Sequence, residues 1–236
     1  MSKQPRAEEV TGPDDDVLDD DELLTEEEAL AALDRTRPTE HQLAGGAPRG
    51  LGWLLTIGGA LGAWASVMLI LSTQTLLRDP DAALACDINP IVGCGKFVLS
   101  WQASVLGPPN AVLGTMAFTV VTATGLVLLG GGRLPRFYWV ALMAGSVLAA
   151  VWITWFQYQA FTELRALCPY CLVVWAVTIP IVINVWARGL QARHLPAPEG
   201  LRRFLVQDRA LVITVWYAVV LLLIGIVFWD QWMLIL

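Results

Sequence analysis

Charge is scarce in this chain, and scarcest where the chain is longest. Charged residues make up 15% of the 236 positions, against roughly 25% in ordinary soluble domains. Histidine occurs twice, at His41 and His194, and neither has a metal-ligand companion nearby, so no metal site is assigned. Cysteine occurs four times, too sparsely for a disulfide-dense secreted miniprotein. A chain so poor in basic residues is not built to bind nucleic acid. Apolar matter fills the gap: 56% of residues are hydrophobic, eleven are tryptophan, and mean hydropathy is +0.58. That excludes a disordered chain and points into a bilayer.

The little charge present is unevenly spread. Residues 1–50 hold fourteen of the twenty-one acids and five of the fifteen bases, a net −9. Residues 51–236 hold seven acids and ten bases, a net +3. With Asp14–Asp16, Asp19–Asp21 and Glu26–Glu28, the first fifty residues read as an acidic, disordered cytoplasmic tail. A short amphipathic helix through Leu18, Leu23, Leu24, Leu30 and Leu33 is the competing reading.

A helix needs about 20 apolar residues to cross a bilayer. Charge-free stretches of 28, 36, 26, 22 and 20 residues lie between Arg49 and Arg78, Lys96 and Arg133, Arg136 and Glu163, Arg165 and Arg188, and Arg209 and Asp230. The second opens on polar and helix-breaking residues from Ser100 to Asn110, so its span is placed from Ala111 onward. The expected spans are 53–76, 111–130, 137–161, 168–187 and 210–229, an all-α membrane protein. Residues 188–209 form a basic cytoplasmic loop, and 210–236 carry the fifth span. The first run follows a fifty-residue tail and is too long for a signal-peptide core. Lys and Arg set orientation. With the N-terminus inside, twelve lie inside and three (Arg78, Lys96, Arg165) outside. Gly58, Gly62 and Ser66 then give the first span a small face for close helix packing, and Pro180 is expected to kink the fourth.

All four cysteines fall on the outer side. Cys86 and Cys94 lie in the loop 77–110; Cys168 and Cys171 lie where the chain enters the fourth span. An oxidising compartment is therefore implied. Cys168-Pro169-Tyr170-Cys171 sets two sulfurs one helical turn apart. Pro169 suits the first helical position, which makes Cys168 the N-cap and Cys171 a first-turn residue. Free amides and the helix dipole there favour a thiolate. The second pair brackets Asn89-Pro90 and Gly93, residues that turn easily. A static structural disulfide and a four-cysteine zinc site compete with a redox reading. The Cys-x-x-Cys loop is too short to constrain much chain, and the seven residues between Cys86 and Cys94 exceed usual zinc spacing. Two exchanging disulfides account best for both pairs on one face, and a lipid quinone is the acceptor within reach of a helix end.

Taken together, the run from Cys86-Asp87 to Cys94, Ser100, Gly107-Pro108-Pro109-Asn110 and the Cys168–Cys171 motif resembles the vitamin K epoxide reductase family. The likeness covers about 51–187 and is closest to bacterial, actinobacterial-type disulfide-forming members, which have a fifth helix. It implies a four-helix transmembrane catalytic bundle holding a vitamin K-type quinone, with menaquinone the expected one. It also implies a DsbA-like thioredoxin-fold partner as electron source, since no thioredoxin-like segment is expected in the six residues after Asp230. DsbB-type proteins carry their two pairs in the reverse order. By family position Cys171 lies next to the quinone, Cys168 exchanges with Cys94, and Cys86 meets the partner. Asn110 corresponds to a quinone-carbonyl contact, with a helix N-cap as the alternative. Ser100 corresponds to a polar residue of the loop helix, with a cap as the alternative. Trp175 stands where vertebrate enzymes have tyrosine; an indole N–H donates but cannot accept, and packing is the alternative. The implied location is the bacterial plasma membrane, with all four cysteines and the C-terminus extracytoplasmic. Quinone-epoxide reduction, or a non-enzymatic protein with two fixed disulfides, are the other functions compatible with these motifs.

Overall fold

The computed structural model describes residues 37–89 and 92–229. Five long helices dominate: α1 (Arg49–Arg78), α2 (Asn110–Leu129), α3 (Arg136–Gln159), α4 (Pro169–Gln191) and α5 (Arg209–Val227). Each is long and apolar enough to cross a membrane. No strand occurs among the described residues, only an isolated parallel bridge between Val92 and Leu167. The protein is an all-α membrane protein, and the five spans lie within a few residues of those expected. At ~1.5 Å per residue, α1 with its 30 residues outruns a hydrocarbon core of ~30 Å and projects beyond it.

Helix α1 is the hub of the bundle, packing against α2 and α4. Its small residues divide between those neighbours: Gly58 faces Ile181 of α4, while Gly59 and Gly62 face Thr122 and Phe118 of α2. A Cβ at Gly59 would lie 2.8 Å from the Thr122 backbone nitrogen and 3.0 Å from the Phe118 carbonyl oxygen. Only hydrogen fits there, so the two backbones can approach closely. Helix α5 leans on α4, where the Tyr217 hydroxyl donates to the Ala176 carbonyl. Most of its large side chains face outward, among them Leu221, Leu222 and Ile226, as a lipid-facing span requires.

Two apolar clusters fill the bundle. One surrounds the cysteines and includes Phe97, Phe161, Trp175, Ile179 and Phe228. The other lies at the opposite end around Leu55, Trp139, Met143, Ile181 and Val185. Two findings differ from the sequence expectation. Residues 1–36 of the expected tail lie outside the described residues, but within residues 38–50 Gln42 and the run 45–47 are buried. A capping box between Thr39 and Gln42 opens the short helix Glu40–Leu43, and Ala47 is buried. The Gly45 carbonyl accepts from the Trp139 indole N–H (3.0 Å). Helix α4, expected to stop at 187, continues through Arg188 to Gln191. The Arg188 guanidinium is held there by hydrogen bonds, donating to the Gln42 and Gly46 carbonyls with its carbon 4.9 Å from the Trp139 ring centre.

Candidate redox centre

The chain around Cys168 is shaped before any chemistry is considered. Helix α3 ends in a wide turn, Ala160–Leu164, and Arg165 then takes a left-handed conformation (φ 44°). This turns the chain into the extended Cys168, which is the N-cap of α4, with Pro169 at the first helical position. The carbonyl of Cys168 accepts from Leu172 N–H (3.0 Å). Cys171 therefore lies in the first turn, one turn from Cys168.

The loop carrying the other pair is tied to this helix entrance. Gly93 N–H donates to the Leu167 carbonyl (2.9 Å). Asn89 Oδ1 accepts from Val92 N–H (2.8 Å) and closes the turn. Asp87 Oδ1 accepts from the backbone N–H of Cys94 (2.7 Å) and of Gly95 (3.3 Å). A carboxylate receiving two amides at a helix start is a strong, charge-assisted anchor, and it fixes Cys94 at the head of the short helix Gly95–Val98. A Cβ on Gly93 would lie 2.5 Å from that Asp87 oxygen, so the anchor depends on a glycine there.

Cys86 and Cys94 form a disulfide with Cα atoms 5.8 Å apart. Cys168 and Cys171 are free thiols. The Cys168 Sγ lies 3.4 Å from the Cys94 Sγ, so a thiol of one pair touches a sulfur of the other pair's disulfide. All four cysteines are buried, Cys86 at 3% exposure. The Cys86 sulfur packs 4.0 Å from the Ser72 hydroxyl. The expected solvent-facing cysteine is therefore covered in this state. The Cys168 thiol titrates below the ordinary range. The Cys171 side chain hydrogen-bonds its sulfur, and the amides of Cys171 and Tyr170 add to the effect; burial and the Asp87 carboxylate oppose it.

The residues expected to contact quinone are dispersed around this centre. Asn110 is the first residue of α2, where Pro109 is the N-cap; its side chain reaches back to donate from Nδ2 to the Gln102 carbonyl (2.5 Å). Its Oδ1 is buried without a partner. A primary amide has a second N–H as well, so Asn110 can donate to a quinone carbonyl or accept from a quinol hydroxyl. That buried, unfilled valence fits such a ligand. Ser100 Oγ donates to the Phe97 carbonyl (2.7 Å), closing the Gly95–Val98 turn. Trp175 is buried, with the Phe161 ring meeting it edge-on at 6.1 Å between ring centres. Sequence reasoning missed Gln102 and Glu163: Gln102 is buried and its Nε2 donates to Glu163 Oε2 (3.3 Å). Their only sequence signal was polarity at the edge of an apolar run. Among the described residues no group of three His, Cys, Asp or Glu is placed to hold a metal ion.

The model of the vitamin K epoxide reductase family matches residues 53–186, which span α1 to α4 and all four cysteines. Members of that family are oxidoreductases that use a quinone as electron carrier. No curated protein matches the chain. With its fold and with a family model covering more than half its length, the chain belongs to the vitamin K epoxide reductase family.

Proposed function

We propose that this protein is a membrane thiol–disulfide:quinone oxidoreductase that reoxidises a DsbA-like thioredoxin-fold partner and so supports disulfide formation in exported proteins. The observation that carries the reading is the 3.4 Å separation of Cys168 Sγ and Cys94 Sγ, which places the two pairs at exchange distance. A partner thiolate attacks Cys86 and displaces Cys94; the partner's second thiol then releases Cys86 and leaves with its own disulfide. The Cys94 thiolate attacks Cys168 of the Cys168–Cys171 disulfide, freeing Cys171. Cys86 next attacks Cys94, reforming Cys86–Cys94 and releasing Cys168. This end point has the disulfide and thiol pattern of the structure. Closing Cys168–Cys171 again gives up two electrons and two protons, which a bound quinone, menaquinone in this reading, accepts. A sulfur of lower pKa leaves faster, and the Cys171 thiol and the amides around the Cys168 sulfur favour its departure as a thiolate. Because Cys86 is covered, attack by a protein partner requires its loop to open first.

The excess of Lys and Arg on the loops at the N-terminal end supports an N-terminus in the bacterial cytoplasm and cysteines outside. The reading is tested by reducing the purified protein with a dithiol, removing the reductant and adding a short-chain naphthoquinone. Free thiols should disappear in proportion to quinone added. Thiols that persist in folded protein, or two disulfides that resist mild dithiol, would favour fixed structural bridges instead.

A further inference from the structure

The end of the bundle away from the cysteines gathers cations that the redox reading does not use. A pocket of about 320 Å³ opens there between residues 43–45, 134–136 and 192–194. Arg136, Arg193 and His194 line it. Arg188 stands behind the 43–45 wall, held by the carbonyls of Gln42 and Gly46. Two polar atoms in this group are without a partner although their residues are more than nine-tenths buried. They are Nη1 of Arg188 (3% exposed) and Nε2 of His194 (6% exposed). Buried polar groups normally find partners, and an orphan calls for an explanation.

No carboxylate is among the groups that act on His194. Burial, Arg188 and Arg136 together push its pKa below the ordinary imidazole value. Glu199, which feels Arg193, is exposed and already paired with Arg202. The backbone adds an independent sign. Arg193 takes a left-handed conformation (φ 55°), while its N–H donates to the Leu190 carbonyl and that of His194 to the Gly189 carbonyl. Glycine is the usual residue after a helix end of this kind. A long cation kept there against the backbone's preference is the sort of strain found at binding sites.

Clustered cations with open buried donors, at the surface end of a membrane bundle, call for an anion from outside the chain. Basic pockets between spans suit phosphate headgroups, and a guanidinium fork matches phosphate oxygens. We propose that this pocket binds the phosphate of an anionic phospholipid, with Arg136 and Arg193 at its mouth, His194 Nε2 as its buried contact, and Arg188 adding positive charge from behind the wall. Arg136 already donates from Nε and Nη2 to the His194 carbonyl, which ties the two sides of the pocket together and leaves other N–H groups of its fork free for the ligand. The proposal is independent of the cysteine chemistry.

The full chain has only two histidines, so histidine-labelled protein gives two imidazole signals, assigned with His41→Gln. In uncharged detergent, short-chain phosphatidylglycerol should shift the His194 signal saturably and raise its pKa, because an anion then offsets Arg188 and Arg136. Half-saturation should come at a concentration at least tenfold below that for short-chain phosphatidylcholine. Arg193→Gly removes one cation and relieves the left-handed backbone. It should keep or raise the thermal midpoint yet weaken phosphatidylglycerol binding at least tenfold, a pattern that a folding defect does not produce. Inorganic phosphate, titrated alone, separates the sources; if it saturates the shift at or below the phosphatidylglycerol concentration, the lipid assignment falls. The proposal is also overturned by the absence of a saturable response, by equal response to both lipids, or by unchanged affinity in Arg193→Gly. It falls as well if deleting residues 2–36 alters the His194 titration in lipid-free detergent, since the tail's carboxylates would then be the occupant.

Discussion

Removing the Asp87 carboxylate should slow electron transfer between the two cysteine pairs without touching the pair next to the quinone. Asp87 holds Cys94 and Gly95 through two amide hydrogen bonds at 2.7 and 3.3 Å. Hydrogen bonds to a charged group contribute roughly 1.5–3 kcal/mol, and each 1.4 kcal/mol is tenfold in an equilibrium. Asp87→Ala should therefore lower the fraction of molecules with Cys94 against Cys168 by about 10- to 100-fold, and partner-driven quinone reduction should fall with it. An opposing effect is smaller: Asp87 raises the Cys168 pKa, so its removal slightly increases the thiolate. Asp87→Asn separates the two, since its amide oxygen still accepts a hydrogen bond while the charge is gone. It should lose only a few-fold. The assay compares quinone reduction driven by a thioredoxin-fold partner with that driven by a small dithiol that reaches Cys168 directly. Only the first should fall. If Asp87→Ala, correctly inserted, stays within twofold of the parent with the protein partner, the anchor does not govern the relay.

Other consequences follow from the same geometry. Deleting residues 2–36 should leave quinone reduction within a few-fold, whereas deleting 2–46 should lower the thermal midpoint sharply. The longer deletion removes the carbonyls that receive Arg188 and Trp139, and each buried donor left unmet costs about 1–3 kcal/mol. After mild reduction of intact cells, a membrane-impermeant thiol reagent should label Cys86; labelling only after permeabilisation would reverse the orientation. Cys94→Ser should stop oxidation of a protein partner while a small dithiol still drives quinone reduction; equal loss with both donors would argue against Cys94 as the link.

The spans were legible because an uncharged run of twenty or more residues has few alternatives to crossing a membrane. The interleaving of Gly58, Gly59 and Gly62 with two different partners was only half legible, since spacing shows a small face but not which helix meets it. The four cysteines were legible as two pairs on one face. Their burial was not, because the cover over Cys86 comes from distant segments such as Ser72 on α1. Charge counting misplaced the end of α4 and took residues 38–50 into the tail for one shared reason. Arg188 looks like a loop residue until the carbonyls of Gln42 and Gly46 are seen to receive it. The link from Asn110 through Gln102 to Glu163 likewise joins residues up to 61 positions apart, a distance that no local pattern reports.

The relay itself is tested most directly in the double variant Cys86→Ser, Cys171→Ser, which keeps only Cys94 and Cys168, by treating it with oxidised glutathione and mapping its disulfides under non-reducing digestion. Exchange runs through a mixed disulfide, and Cys168 already touches Cys94 at 3.4 Å. A glutathione added to one of these sulfurs leaves as the thiol when the other sulfur displaces it, and without Cys86 or Cys171 no neighbouring thiol resolves the bond that forms. The account predicts a Cys94–Cys168 peptide pair. Glutathionylated Cys94 and Cys168 with no bridge between them would contradict it.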